Sequence, residues 1–275
     1  MRVLITGAGG LVASAIVPHF DNVIALRHGA LDIGDAAAVD RTFDAVQPDL
    51  VINCAVIGVD ECERDPALAQ RINVEGPAQL AEAAENIGAA IVHFSSNYVF
   101  DGRPAKREPY AIDDEPNPIN VYGKTKLVGE RAVIERCSRT LIVRTSWVYG
   151  PGKNSFLATV ASRLMRGQTV QAIADTWAST TYVADLAQRV REIVDGGIYG
   201  TYHVVNEGVC SYETFARHTA AVAGIPKEIA DRLIEVVTEA SMGRTAPRPP
   251  WTPMHCVPPM RSWEEALQSY LTEGA

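Results

Sequence analysis

Met1-Arg-Val-Leu-Ile-Thr6 runs directly into Gly7-Ala-Gly-Gly10-Leu-Val-Ala13. The first six residues form a short apolar run, the pattern of a buried strand. The next seven turn through glycines into the start of a helix. Binding a dinucleotide pyrophosphate requires this order of elements. Glycines permit the tight turn and a close backbone approach, and the free N–H groups of a helix start face the anion. The spacing is Gly7-x-x-Gly10-x-x-Ala13, with alanine where a third glycine is common.

Outward from this turn, strand and helix alternate. Residues 22–28 and 49–55 read as further strands, the second ending in small residues that let a cofactor pass. A helix is expected over 35–46, a loop over 56–65, and a helical stretch over 66–88 interrupted at Gly76-Pro77. Residues 89–95 form the fourth strand, 120–137 a helix and 139–144 the fifth strand. The fold class is therefore α/β, a Rossmann-type doubly wound parallel sheet with ligands at the strand C-terminal ends. Thr6, Ala55, Ser96 and Thr145 stand at such ends and should line one crevice. Residues 1–150 are assigned to an NAD(P)-binding domain, joined by a segment returning to the sheet near 181–205. Residues 151–275 are assigned mostly to a small C-terminal substrate-binding lobe. That region carries helices over 154–165 and 182–194, a helix capped by Ser211, an irregular loop over 240–259 and a Ser262-Trp-Glu-Glu265 capping box.

Chemistry concentrates in Ser95-Ser-Asn-Tyr-Val-Phe100 and Asn120-Val-Tyr-Gly-Lys-Thr-Lys126. Tyr122 and Lys126 are four residues apart in a helical stretch and share a face. A free phenol titrates at about 10 and a free ammonium at about 10.4. An ammonium beside the phenol in a dry pocket favours the phenolate and makes the phenol a better proton donor. Ser96, delivered from a buried strand, can hydrogen-bond the oxygen that receives the proton. The trio suits protonation of an alkoxide formed when hydride reaches a carbonyl. A second Tyr-x-x-x-Lys match, Tyr149 to Lys153, spans Gly150-Pro-Gly152 and cannot be helical.

The second strand ends in Arg27-His28, where sites preferring NAD carry an acidic residue for the ribose hydroxyls. A cation there accepts a 2′-phosphate, so the expected cofactor is NADPH, with NADH as the alternative. The formal charge of −8 over 275 residues argues against nucleic acid as a partner. Five scattered cysteines without a Cys-x-x-Cys pair point to reduced thiols and a cytoplasmic protein. His93 lies in an apolar run and reads as a core residue; no metal spacing is present, so no metal is expected. The first apolar run is too short for a signal or membrane segment.

Taken together, these residues resemble the extended short-chain dehydrogenase/reductase family, and within it the dTDP-4-dehydrorhamnose reductases. The likeness spans nearly the whole chain. It rests on Thr6-Gly-Ala-Gly-Gly10, Leu31-Asp-Ile33, Val51-Ile-Asn-Cys-Ala55, Val59-Asp60 with Glu63, Asn73, the two stretches above, Arg144-Thr-Ser-Trp-Val-Tyr149 and Arg248-Pro249. The resemblance implies that Tyr122 donates the proton, that Lys126 tunes it and holds the nicotinamide ribose, and that Ser96 binds the carbonyl oxygen. It implies Gly7, Gly10, Leu11 and Val12 at the pyrophosphate, Asp32 and Ile33 at the adenine, and Cys54 and Ala55 beside the cofactor. Tyr98 and Trp147 would face the sugar, and Arg248 the substrate phosphate. The implied activity is NADPH-dependent reduction of a nucleotide-linked 4-keto-6-deoxy sugar, by an enzyme that could be a homodimer. An epimerase or dehydratase of the same superfamily, or a non-catalytic regulatory subunit, are the alternatives. Asn97 departs from an aspartate common in the reductases, and Ser179-Thr-Thr181 from a small-Pro-Thr turn.

Overall fold

The structure, a computed structural model, describes residues 1–273. The dinucleotide-type half is built from β1 (Arg2–Thr6), α1 (Leu11–Ile16), β2 (Asn22–Leu26), α2 (Ala36–Val46), β3 (Leu50–Asn53), α3 (Val59–Arg64), α4 (Pro66–Gln70), α5 (Gly76–Ile87), β4 (Ala90–Ser96), α6 (Val121–Arg136) and β5 (Thr140–Thr145). There follow β6 (Val148–Tyr149), α7 (Phe156–Met165), β7 (Val170–Ile173), β8 (Trp177–Ala178), β9 (Thr181–Tyr182), α8 (Val183–Gly196) and β10 (Gly200–His203). The chain ends with β11 (Cys210–Ser211), α9 (Tyr212–Val222), α10 (Lys227–Leu233), β12 (Ile234–Val237), β13 (Trp251–Thr252) and α11 (Trp263–Glu273).

Six strands form one sheet in the order β10-β5-β4-β3-β1-β2, and every pairing is parallel. Parallel strands are covered on both faces, which is why Val3, Leu4 and Ile5 are all fully buried instead of alternating. The chain runs from β1 outward to β2 and then back across to β3. The crevice at the C-terminal ends of β1 and β3 is thus the switch point where such sheets take ligands. Helices cover the two faces: α1 and α8 pack on one, α2, α5 and α6 on the other. The remaining strands make three small sheets, β11-β8-β13, β12-β7 and β6-β9, which pack with α7, α9 and α11 around a separate apolar cluster centred on Tyr149 and Phe215.

Local signals place many of the ends. Asp35 caps α2 through the Ala38 N–H, Asn120 caps α6 through the Gly123 N–H, and Ser211 caps α9 through the Thr214 N–H. Ser262 and Glu265 form the reciprocal capping box that starts α11. Two expectations need correction. The stretch 56–65 is not all loop, because Val59–Arg64 is helical, with Cys62 as its buried residue. The helix from Pro66 is not broken at Gly76-Pro77 either. A π-helical turn over Arg71–Glu75 changes the hydrogen-bond register just ahead of Pro77, which then occupies the first turn of α5, where its missing N–H costs nothing. Within 240–259, Trp251–Thr252 pairs with β8, so that loop is tied down.

One ion pair crosses the core. The Arg144 guanidinium on β5 meets Glu130 on α6 in a bidentate pair, at 3.0 Å from Nε and 2.7 Å from Nη2. The two side chains are only 7% and 2% exposed. Glu130→Ala would leave the guanidinium buried without its counter-charge. It is expected to cost about 3–5 kcal/mol, measurable as a Tm lower by roughly 10 °C, whereas truncating exposed Glu192 should leave Tm nearly unchanged.

Candidate active site

Helix α6 carries Tyr122 and Lys126 and lies unusually close to its neighbours. A Cβ added at Gly123 would stand 2.0 Å from the Tyr98 carbonyl oxygen, and one at Gly129 would stand 2.2 Å from that of Asn73. Both glycines are therefore steric requirements of the approach. The start of the helix is fixed from outside as well as by its own cap: Glu63 on α3 accepts the Val121 N–H at 3.0 Å. This places the second and sixth residues of α6 over the end of β4, where Ser96 emerges.

Ser96, Tyr122 and Lys126 line one cavity of about 440 Å³, with Tyr98, Trp147, Val12, Cys54, Ala55 and Thr145 also on its walls. Ser96 stands beside the Tyr122 phenol and favours its ionised form. The Ser96 hydroxyl donates to Asn97 Oδ1 at 3.1 Å and accepts the Tyr98 N–H at 3.2 Å, so the oxygen is held in place. Asn97, the departure noted in the sequence, also donates to Thr252 Oγ1 at 2.7 Å and so ties β4 to β13. Tyr98 meets Tyr122 edge to face at 6.0 Å. Trp147 takes a left-handed backbone conformation, φ +39°, and stacks on Tyr212 at 4.0 Å. A strained non-glycine residue held by its surroundings at a cavity wall marks a constrained site.

The electrostatics differ from the simple picture of an ammonium lowering a phenol. Burial pushes the Tyr122 phenol up to about 12, only partly opposed by the Ser96 hydrogen bond. Burial also pulls the Lys126 amine down to about 8, against the pull of Glu130, Cys62 and Cys54. The group in hydrogen-bonding distance of Lys126 Nζ is His93 Nε2, at 3.3 Å. On its other side His93 Nδ1 meets Asn53 Nδ2 at 3.1 Å, and Asn53 Oδ1 accepts from Thr6 Oγ1 at 2.7 Å and from the Ala55 N–H at 3.1 Å. Adjacent register on β1, β3 and β4 aligns this chain of side chains across the sheet: Thr6 pairs with Asn53, and Asn53 with His93.

Cys54, Ala55 and Val56 also line a second cavity of about 600 Å³, which the first adjoins. Gly7, Gly10, Arg27, His28, Ile33 and Arg71 line it too. Gly7, at φ +66°, presses so close to Cys54 and Ala55 that a Cβ would fall 2.6 Å from their backbone. Asp32 is not among the lining residues. Arg71 binds its carboxylate at 2.8 Å and, with the Gly34 N–H, holds it below the usual carboxylate range. Leu11 is likewise turned away, packing on the apolar cluster around Tyr149. The residues present fit a dinucleotide: a glycine turn at the sheet's switch point, an apolar pocket beside Ile33, and cations at Arg27 and Arg71.

Arg248 lies elsewhere than the sequence led us to expect. It forms a bidentate pair with Asp60 on α3, 7% exposed, and does not line the cavity. Burial disfavours the charge, yet the Arg248 and Ala246 hydrogen bonds hold the Asp60 carboxyl below its usual range. Arg244 lines the cavity instead, beside Tyr212 and Phe156, with Glu239 as its counter-ion at 3.3 Å. Arg244, Tyr212, Asn53 and His93 are the residues that sequence reasoning missed. His93 is a core residue, as expected, but also a neighbour of Lys126. Among the described residues no group of three His, Cys, Asp or Glu side chains is arranged to hold a metal, and no helix is long and apolar enough to cross a membrane.

Comparison with known proteins gives this geometry relatives. The family model described as the RmlD substrate binding domain matches residues 1–275. The chain is 38% identical to dTDP-4-dehydrorhamnose reductase of Mycolicibacterium smegmatis, over 97% of this chain and 84% of that one. A crystal structure of a dTDP-4-dehydrorhamnose reductase from Clostridium acetobutylicum superposes with a TM-score of 0.91 at 35% identity, covering 99% of both chains. The Bacillus anthracis dTDP-4-dehydrorhamnose reductase, solved in complex with NADP, gives a TM-score of 0.91 at 32% identity over 99% of both chains. With a full-length family match joined to a Ser-Tyr-Lys site on a doubly wound sheet, the chain belongs to the RmlD substrate-binding-domain family of extended short-chain dehydrogenases/reductases.

Proposed function

We propose that this protein is an NADPH-dependent reductase of a nucleotide-linked 4-keto-6-deoxy sugar, with dTDP-4-dehydro-L-rhamnose as substrate and dTDP-L-rhamnose as product. The observation that carries the reading is the convergence of Ser96, Tyr122 and Lys126 in a cavity that adjoins the glycine-turn crevice at Cys54, Ala55 and Val56. Residues 1–150, with the segment 181–205, serve the cofactor, and residues 151–275 serve mostly the sugar nucleotide. The five free cysteines support work in the cytoplasm. Exposed Ile87 on α5 and Val128 and Ile134 on α6 support a homodimer.

NADPH, when bound, provides the hydride that reduces the C4 carbonyl. Gly7, Gly10 and Val12 would flank its pyrophosphate, Ile33 its adenine, and Arg27 with His28 its 2′-phosphate, while Asp32 acts by orienting Arg71. Tyr122 gives its proton to the carbonyl oxygen, and Ser96 hydrogen-bonds that same oxygen as it gains charge. A phenol raised to about 12 is fully protonated at neutral pH, which is the form a proton donor needs. A charged Lys126 then stabilises the tyrosinate left behind. Tyr98 and Trp147 offer aromatic faces to the sugar, and Arg244 is the cation placed for the diphosphate.

Three outcomes are expected. Tyr122→Phe should lower kcat by about 10²–10⁴-fold, the range for a lost general acid, with little change in NADPH affinity by titration calorimetry. Arg244→Ala should raise KM for the sugar nucleotide by about 10–100-fold, the worth of a charged hydrogen bond, and Arg248→Ala should instead lower Tm. Arg27→Ala should cut the preference for NADPH over NADH by about tenfold on the same grounds. An unchanged cofactor preference would remove Arg27 from the phosphate site.

A further inference from the structure

The chain Ala55, Asn53, His93, Lys126 has a direction fixed by one obligate donor. The Ala55 backbone N–H can only donate, so the atom of the Asn53 amide facing it, at 3.1 Å, is the oxygen. The amide NH₂ of Asn53 must then point to His93 Nδ1, 3.1 Å away, and that nitrogen must accept. An imidazole that accepts at Nδ1 carries its proton on Nε2 when neutral. His93 is fully buried, and burial holds it neutral. Its Nε2–H therefore faces Lys126 Nζ at 3.3 Å. An ammonium has three donors and no lone pair, so it would oppose that N–H; an amine has the lone pair to accept it.

We propose that His93 is a positioning residue that shifts Lys126 toward its uncharged amine in the cofactor-free site, so that binding NADPH, with its phosphate charges, is coupled to uptake of a proton at Lys126. This rests on the NADPH reading given above. Burial of the amine acts in the same direction as the facing donor. The other titratable groups facing Lys126 do not compete for the role. Glu130 is committed to Arg144, Tyr122 is a phenol raised by burial, and burial keeps the thiols of Cys54 and Cys62 protonated at about 12 and about 11. The device lets the cofactor raise the charged fraction of Lys126.

The test is calorimetry of NADPH binding to the full chain at pH 8.5, above the lowered value of the Lys126 amine, in EPPS and in Tris, whose different ionisation heats report proton uptake. The wild type should take up about 0.5 proton more than Lys126→Met, as linkage requires for a group that is mostly uncharged at this pH and ionises on binding. His93→Gln, whose amide can rotate to accept from an ammonium, should bind NADPH with its uptake reduced to the Lys126→Met level. Uptake in His93→Gln equal to wild type, or none in wild type beyond Lys126→Met, overturns the proposal. Failure of the wild type to bind NADPH would instead sink the cofactor reading. Should His93→Gln not fold, ring ¹⁵N shifts of the wild-type histidines decide independently: a His93 proton on Nε2 is expected, and one on Nδ1 overturns the assignment.

Discussion

The close approach of α6 to the backbone around it is the constraint from which the site follows. A helix that had to clear a side chain at position 123 or 129 would sit farther from the Tyr98 and Asn73 carbonyls, and both reacting side chains would move with it. Their positions depend on shifts of this size, because proton transfer needs heavy atoms about 2.6–3.2 Å apart. The π turn before α5 belongs to the same constraint. It shapes the backbone at Asn73, against which Gly129 packs. Beneath, the Arg144–Glu130 pair fixes the helix against β5, so that α6 is held by sterics on one side and charge on another.

Burial then determines the protonation states. In a water-filled groove the phenol and the amine would keep their ordinary affinities for protons. Here desolvation raises one and lowers the other, so both shift toward their neutral forms. A neutral phenol beside a weakly held ammonium is poor at stabilising a developing anion. The charge that completes the site must therefore arrive with the ligands, which bring phosphates and displace water. Arg27 and Arg71 line the second cavity and Arg244 the one that holds Tyr122, where such charge would be met.

What the sequence revealed was local. The strand-glycine-helix opening, the cap at Ser211 and the Ser262-Glu265 box are all written in a few adjacent residues, and each formed. The parallel sheet followed from their alternation. Pairings between distant residues were not legible. Arg248 and Arg244 are four residues apart in one proline-rich loop, and nothing in that spacing says which one Asp60 captures and which one remains facing the cavity. Val59–Arg64 escaped for a related reason. Its charged composition looks like a loop, and its helix is held by contacts that only the fold provides, Asp60 to Arg248 and Glu63 to the start of α6.

His93 shows the limit most clearly. An apolar run around it made a core histidine the sound reading, and the residue is indeed in the core. Its second identity comes from register: β1, β3 and β4 bring Thr6, Asn53 and His93 into line, so a side chain chosen for the interior also abuts the reacting lysine. A buried hydrogen-bonded chain cannot be neutral about direction, since each member must match donor to acceptor or leave a group unsatisfied at a cost of about 1–3 kcal/mol. Once the Ala55 N–H fixes one end, the proton positions along the chain are decided as far as Lys126. The backbone at Ala55, on the wall of both cavities, thereby also sets which proton His93 presents to Lys126.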